Sequence, residues 1–226
     1  RNQLRSFLTL LGVVIGVAAV IAMVTVGQGS SRQVAASVES LGSDVVILRP
    51  GRRSYGPGSR GGRPFTLRDA EALAALPVVG QLAPVASSSQ VVVAGNANAQ
   101  TQITGSSSAW IEVANWTIAS GRNFTLGEDR AGLAVCILGQ TVRRSLFGAT
   151  DPVGQTVRVK SIACEVIGVL APKGAGSFGQ DQDDLVVMPI RLLQRRLEGD
   201  TDVNSIQISL ASGVAVADGV AEIEAL

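Results

Sequence analysis

From Phe7 to Val26 the chain reads FLTLLGVVIGVAAVIAMVTV, twenty positions without a charge and apolar on every side. Its only polar side chains, Thr9 and Thr25, can return their hydroxyls to the helix backbone. Twenty residues rising about 1.5 Å each cover about 30 Å, the hydrocarbon thickness of a bilayer. The pattern predicts a transmembrane helix over 1–26. Arg1 and Arg5 favour a cytoplasmic N-terminus, which puts the chain after about residue 26 outside the cytoplasm. A cleavable signal peptide carries a shorter apolar stretch, although Gly27-Gln28-Gly29 has a small-x-small form. A buried core helix is usually shorter and has a polar face. Because the first residue is Arg rather than Met, the chain is expected to be part of a longer polypeptide. Within the run, Gly12 and Gly16 stand four apart with Ala19 on the same side. That small-residue face lets another helix backbone approach closely, from a second copy of the chain or from a different helix.

Beyond the run the periodicity changes. Val34, Val38 and Leu41 recur at helical spacing and Gly42 supplies a stop, so 27–41 is expected to be a stalk helix, with Gly27 and Gly29 as a place to hinge. Asp44–Arg49 reads as a short strand. Pro50–Pro64 is rich in Gly, Pro and Arg and reads as a loop. Its Gly56-x-Gly58-x-x-Gly61 lies several residues past the strand, and Pro64 cuts it off from the next helix. It therefore lacks the strand-turn-helix setting of a dinucleotide site. Thr66 and Asp69 open a helix that runs to about Leu76 and ends at Pro77.

A strand is expected over Val79–Ala86, with Pro84 confining it to an edge or ending it early. Gln90–Ala94 and Gln100–Thr104 flank a turn at Gly95–Asn98. The stretch from Trp110 to Ile118 is mixed, and Gly121–Phe124 reads as a turn. Further strands are predicted at Ala134–Leu138, Thr156–Lys160, Ile162–Leu170, Leu185–Met188 and Ser205–Leu210. Helices are predicted at Thr141–Phe147, Pro189–Leu197 and Val214–Leu226. Interleaved strands and helices of this kind make the fold class α+β.

Composition narrows the chemistry. The chain has no histidine, which removes Ser-His-Asp and Cys-His nucleophile systems and histidine metal ligands. Two cysteines are too few for a four-cysteine zinc site. A net charge of +1 gives no global reason to bind nucleic acid. No Gly-Lys dipeptide occurs, so there is no Walker A loop, and any ATPase lies elsewhere. Neither a catalytic residue nor a metal or cofactor site is expected in this chain.

Cys136 and Cys164 fall in two predicted strands. They are either a disulfide, which an extracytoplasmic location permits, or two buried thiols. Gln180-Asp181-Gln182-Asp183-Asp184 is the densest acidic cluster. It lacks the spacing and closing glutamate of an EF-hand, and reads as a solvated loop or as a contact surface for a partner, with Gln180, Asp181, Asp183 and Asp184 as contact candidates.

Several segments, taken together and in order, resemble the MacB-type ABC transporter permease. They are Asn2-Gln3-Leu4-Arg5-Ser6-Phe7-Leu8-Thr9-Leu10-Leu11-Gly12 leading into Ile15-Gly16-Val17-Ala18-Ala19-Val20-Ile21; Ser40-Leu41-Gly42; Asn115-Trp116 with Ser120-Gly121-Arg122; Leu138-Gly139-Gln140-Thr141-Val142; Leu146-Phe147-Gly148 then Asp151-Pro152-Val153-Gly154-Gln155; Val166-Ile167-Gly168-Val169-Leu170; and Gly179-Gln180-Asp181-Gln182-Asp183-Asp184.

The resemblance implies a transmembrane helix and stalk carrying a periplasmic domain, with a βαβ porter-like subdomain at 42–110 and 186–226 and an inserted second α+β lobe, the Sabre, at 111–185. It also implies an inner-membrane location, an ABC nucleotide-binding domain that binds ATP on a separate domain or chain, a periplasmic adaptor, and a homodimer through the transmembrane helices. The implied work is efflux or other mechanotransmission, with ATP hydrolysis moving the helices and the stalk passing the motion outward. A different class stays open on the residues alone, namely a single-pass membrane-anchored binding or sensor domain.

Overall fold

The computed structural model describes residues 45–51, 63–176 and 179–225, with positions 11, 12, 14–18, 20 and 23. The chain divides into two units, Arg1–Leu41 and Gly42–Leu226. In the first, every described position is helical, and Val14, Ile15, Val17, Val20 and Met23 expose their apolar side chains. Among the described residues no helix is long and apolar enough to cross a membrane. The ends of the predicted span, the stalk and the Gly56–Gly61 motif lie outside the described residues.

The second unit is one mixed sheet with helices on it. Its strands are β1 (Val45–Leu48), β2 (Val79–Ala94), β3 (Ala97–Ser106), β4 (Ile118–Gly121), β5 (Val135–Leu138), β6 (Thr156–Val159), β7 (Ile162–Leu170), β8 (Leu185–Pro189) and β9 (Ser205–Leu210). They run in the order β1-β9-β2-β3-β8-β5-β7-β4, and β6 pairs with both β2 and β7. The β3–β8 and β5–β7 pairs are parallel; the other pairs are antiparallel. Residues 111–185 contribute β4 to β7; β5, β7 and β4 follow β8 at one end of the order, while β6 joins β7 to β2 in the other half.

Both sheet faces are covered, and the central strands show it. Along β5, Val135 and Ile137 join one apolar cluster while Cys136 and Leu138 join the other. Along β8, Val187 belongs to one and Val186 and Met188 to the opposite one. Strands buried on both sides read as continuous apolar runs rather than alternations, which is why VCIL and LVVM stand out in the sequence. The edge-ward β9 alternates instead, with Ile206, Ile208 and Leu210 buried.

Helix α1 (Leu67–Ala74) starts where the sequence placed it. Thr66 caps it and forms a reciprocal box with Asp69. Helix α2 (Trp110–Val113) occupies the mixed stretch. Helix α3 (Leu126–Ala131) is an element the apolar periodicity does not predict, because no residue of it is buried; its signal is the Thr125–Glu128 capping box. Helix α4 (Gln140–Phe147) ends at Gly148 as expected. Helix α5 (Ile190–Leu192) opens the predicted Pro189 helix but runs into a π-helical turn, Leu193–Glu198. Helix α6 (Val216–Glu224) closes the chain.

One expectation is corrected. Pro84 neither ends β2 nor confines it to an edge; β2 runs unbroken through it between β9 and β3. The Pro84 carbonyl accepts the Ser106 hydroxyl at 2.7 Å, so this residue's backbone polar side faces β3. The β2–β3 ladder begins only at Val85 opposite Ser106. The N–H that proline lacks therefore falls just past the end of that ladder, where no bond is lost.

Candidate functional site

The acidic cluster leads into β8 and is folded on itself by its own carboxylates. Asp183 is buried (3 % exposed). Its Oδ1 accepts Lys173 N–H at 2.8 Å and its Oδ2 accepts Gly174 N–H at 3.1 Å. Asp181 Oδ1 accepts the Asp183 N–H at 2.9 Å, and Asp181 Oδ2 accepts the Thr141 hydroxyl at 2.6 Å. These donors, the Thr141 hydroxyl first, hold the Asp181 carboxyl below the usual carboxylate range. Of the four contact candidates, Asp183 is thus turned inward to hold the loop. Gln180 and Asp181 are exposed, Asp184 is half-buried, and Asp184 makes no side-chain hydrogen bond among the described residues.

The loop is seated on the start of α4. Gly139 N–H donates to Leu185 O at 2.8 Å and Thr141 N–H donates to Asp183 O at 3.2 Å. Gly139 has ordinary extended dihedrals (φ −73°, ψ 161°). Its requirement is spatial, since a β-carbon there would overlap the Asp183 carbonyl oxygen and sit 3.0 Å from its carbon. Two sequence segments forty residues apart are brought together by this contact.

Behind the loop, Trp110 and Trp116 stack with ring centroids 6.2 Å apart and planes at 27°. The Lys173 ammonium lies 4.3 Å from the centre of the Trp116 ring and donates to Ala114 O at 2.7 Å. Its pKa is lowered by burial, with the Asp183 charge acting the other way. The result is a cation seated on an aromatic face and tied to a carbonyl, which fixes the loop to α2.

A second stay lies at the far end of the sheet. Arg122 makes a two-pronged ion pair with Glu128, at 2.8 and 2.7 Å. Glu128 also accepts the Thr125 N–H at 2.7 Å and caps α3. Those bonds, the Arg122 pair first, draw the Glu128 carboxyl down to about 2.

Cys136 and Cys164 are free thiols, both wholly buried. Val135 pairs with Glu165 and Cys136 with Val166 in the parallel β5–β7 ladder, so Cys164 is offset two residues from Cys136. The neighbouring Cys164 thiol and burial both push the Cys136 thiol up.

In the first unit, Gly12 and Gly16 have open space where a β-carbon would stand; Ala19 lies outside the described residues. Among the described residues no group of three or more Cys, Asp or Glu is placed to hold a metal ion.

The acidic loop borders a polar cleft of about 350 Å³ floored by β9, β2 and β3 and lined on its other parts by Arg49 and the two tryptophans. The sequence did not mark this cleft. Its floor residues are the outward positions of alternating strands, and nothing in their spacing distinguishes recognition from solvation.

The chain is 39 % identical over 220 residues to the macrolide export ATP-binding/permease protein MacB of Syntrophobacter fumaroxidans, an alignment covering 95 % of this chain and 31 % of that protein. It is 35 % identical over 216 residues to the pyoverdine export ATP-binding/permease protein PvdT of Pseudomonas aeruginosa, covering 95 % and 32 %. The chain thus spans about a third of the length of these relatives. Among solved structures, the periplasmic region of MacB from Actinobacillus actinomycetemcomitans superposes with a TM-score of 0.71 at 20 % identity, covering 82 % of this chain and 83 % of that one. The extracellular domain of the ABC-type transporter YknZ, from Gram-positive bacteria, superposes with a TM-score of 0.63 at 20 % identity, over 79 % and 88 %. These likenesses agree with the mixed α+β architecture. The model of the MacB-like periplasmic core domain matches residues 6–226, and the chain belongs to that family.

Proposed function

We propose that this chain is the first membrane-spanning helix and the periplasmic core of an ABC exporter permease of the MacB type. ATP binds and is hydrolysed on a nucleotide-binding part outside this chain, and the motion is carried through the helix and stalk to the folded unit, which works on a periplasmic adaptor. The observation that carries this reading is the family match over residues 6–226, with relatives whose names join ATP binding to a permease.

The apolar run from Phe7 to Val26 and the arginines before it support the membrane span, with everything after about residue 26 in the periplasm. Gly12, Gly16 and Ala19 suit a helix-packing face between two copies. We assign 42–110 and 186–226 to the porter-like part and 111–185 to the inserted Sabre lobe; the adjacency of β5, β7 and β4 at one end of the strand order supports that division. Gln180, Asp181 and Asp184 are the side chains of the acidic loop left to meet an adaptor.

The test is topological and uses the full-length protein. Asn96 sits exposed at the tip of the β2–β3 hairpin, while the two cysteines of this chain are buried; any cysteine elsewhere in the full-length protein is replaced by serine for the test. Asn96→Cys is expected to react with a membrane-impermeant maleimide in intact spheroplasts and not in inside-out vesicles. The reverse pattern would remove the periplasmic assignment. Adaptor capture is expected to fall in a Gln180→Ala/Asp184→Ala variant, and unchanged capture would place the contact elsewhere.

A further inference from the structure

We infer that the cleft bordered by the acidic loop binds a neutral, polyhydroxylated ligand, a short glycan segment, independently of the export reading above. A nearly buried side chain lines it with a polar atom that nothing among the described residues satisfies, and a second nearly buried side chain adds an unbonded hydroxyl. Thr104 and Trp110 are each 5 % exposed. The Trp110 indole N–H is buried without a partner among the described residues, and Thr104, which also lines the cleft, makes no side-chain hydrogen bond among them. A buried polar group left unpaired costs about 1–3 kcal/mol, so such groups usually mark a place where something else completes them.

Other polar side chains of the lining are also unspent. Gln102 beside Thr104 on β3, Ser87 on β2, and Ser205 and Gln207 on β9 make up a floor of amides and hydroxyls. Their side chains form no hydrogen bonds among the described residues. Arg49 enters from the β1 side and Asp184 from the β8 side. Among the described residues the two opposite charges form no ion pair with each other. Apolar surface is also present, from Val85, Leu185 and Trp116.

These groups select among ligand classes. An anion would meet the Asp181 and Asp184 carboxylates, and a strongly cationic ligand would meet Arg49. An apolar ligand would leave the amides and hydroxyls dry and unpaired. An extended peptide usually gains its affinity by adding to a free sheet edge, but β9, β2 and β3 are internal strands with both neighbours in place. Recognition here must come from side chains alone. A sugar hydroxyl is donor and acceptor at once, so it can serve amide, hydroxyl, carboxylate and guanidinium alike. Its C–H faces suit the apolar part of the lining. A cavity of about 350 Å³ is at the small end of the range for small-molecule sites, with room for a short saccharide and none for a folded partner.

Trp110 and Trp116 are the two tryptophans of the chain and both line the cleft, so intrinsic fluorescence reports on it directly. The whole chain, held in a detergent without a sugar headgroup, is titrated with N-acetylchitotriose, maltotriose and, as control, the neutral tripeptide Gly-Ser-Gly. The expected result is a saturable fluorescence change with at least one saccharide, with Kd at or below about 1 mM, and none with the tripeptide. Thr104→Val and Asp184→Asn should each weaken that binding about tenfold while leaving the thermal unfolding midpoint within about 2 °C. No saturable response to either saccharide, a response to the tripeptide alone, or unchanged binding by both variants would overturn the assignment. The export reading is judged by topology and adaptor capture, so either can fail without the other.

Discussion

Replacing Gly139 with alanine sets two physical effects of opposite sign against each other. Gly139 has φ −73° and ψ 161°, a conformation alanine adopts freely. Such a substitution normally stabilises by about 0.4–1 kcal/mol, because the unfolded chain loses freedom. Here the added methyl would overlap the Asp183 carbonyl oxygen and stand 3.1 Å from a Leu185 methyl carbon. The neighbour is backbone, so relief requires the acidic loop to move as a body. Three hydrogen bonds cross that contact: Gly139 N–H to Leu185 O, Thr141 N–H to Asp183 O, and the Thr141 hydroxyl to Asp181. At about 1 kcal/mol each, loss of these bonds outweighs the unfolded-state gain and leaves a net destabilisation of about 2 kcal/mol. Guanidinium unfolding followed by Trp110 and Trp116 fluorescence measures it. Gly127→Ala is the control: it sits in α3 with no atom nearer than 3.8 Å to an added β-carbon, and should stabilise by up to about 1 kcal/mol. If Gly139→Ala is as stable as the parent or more so, the seating of the loop on α4 is not what the close approach implies.

Asp183→Ala should destabilise by about 3 kcal/mol, because two backbone N–H groups that now bond a buried carboxylate lose their acceptor. Hydrogen exchange at Lys173 and Gly174 should rise well before global unfolding, and unchanged protection would refute the role. Arg122→Gln removes the partner that holds Glu128 at about 2. A depressed carboxyl contributes stability above its unfolded pKa of about 4.5 and loses it as pH falls through the folded value. The stability gap between parent and variant should therefore be constant above about pH 5 and shrink from about 4.5 toward 2; a gap independent of pH would contradict it. Thiol titration without reductant should find Cys136 and Cys164 unreactive in the native chain and both reactive after unfolding, whereas zero thiols after unfolding would mean a disulfide bridges them.

Most strands were legible because burial on both sheet faces writes long apolar runs. Ile162–Leu170 and Ser205–Leu210 are read from pattern alone with the bounds the structure has. Helix α1 was legible through Thr66 and Asp69. Helix α3 was not, since it buries none of its residues and so leaves no apolar stripe; only its capping box announced it. Pro84 misled because the cost of a missing N–H depends on where the neighbouring ladder stops, which is a tertiary fact. The acidic cluster was legible as a cluster, but the inward turn of Asp183 was not. Three aspartates in four residues look alike until Lys173 and Gly174 bring their N–H groups to one of them.

The motifs that carry the family likeness share a physical character. Gly121 and Gly168 face each other across the β4–β7 pair, and a β-carbon at Gly121 would overlap the Ile167 carbonyl oxygen. Gly139 meets Asp183 in the same way. Gly154 N–H donates to Val166 O and Val166 N–H to Gln155 O, both at 2.8 Å, so the Asp151–Gln155 turn is stitched to β7. At Gly121, Gly139 and Gly168 two backbones meet with no room for a side chain, whereas Gly148, Gly154 and Gly179 stand in open space and are set by their positive φ. Such constraints specify the fold and leave chemistry unspecified. The residues with unspent hydrogen-bonding capacity, Gln102, Thr104 and Gln207 among them, obey only the two-residue alternation of a strand. A relative could keep every motif and replace all of them without disturbing the sheet. That is why membership of the family is legible along residues 6–226 while the cleft lining is not.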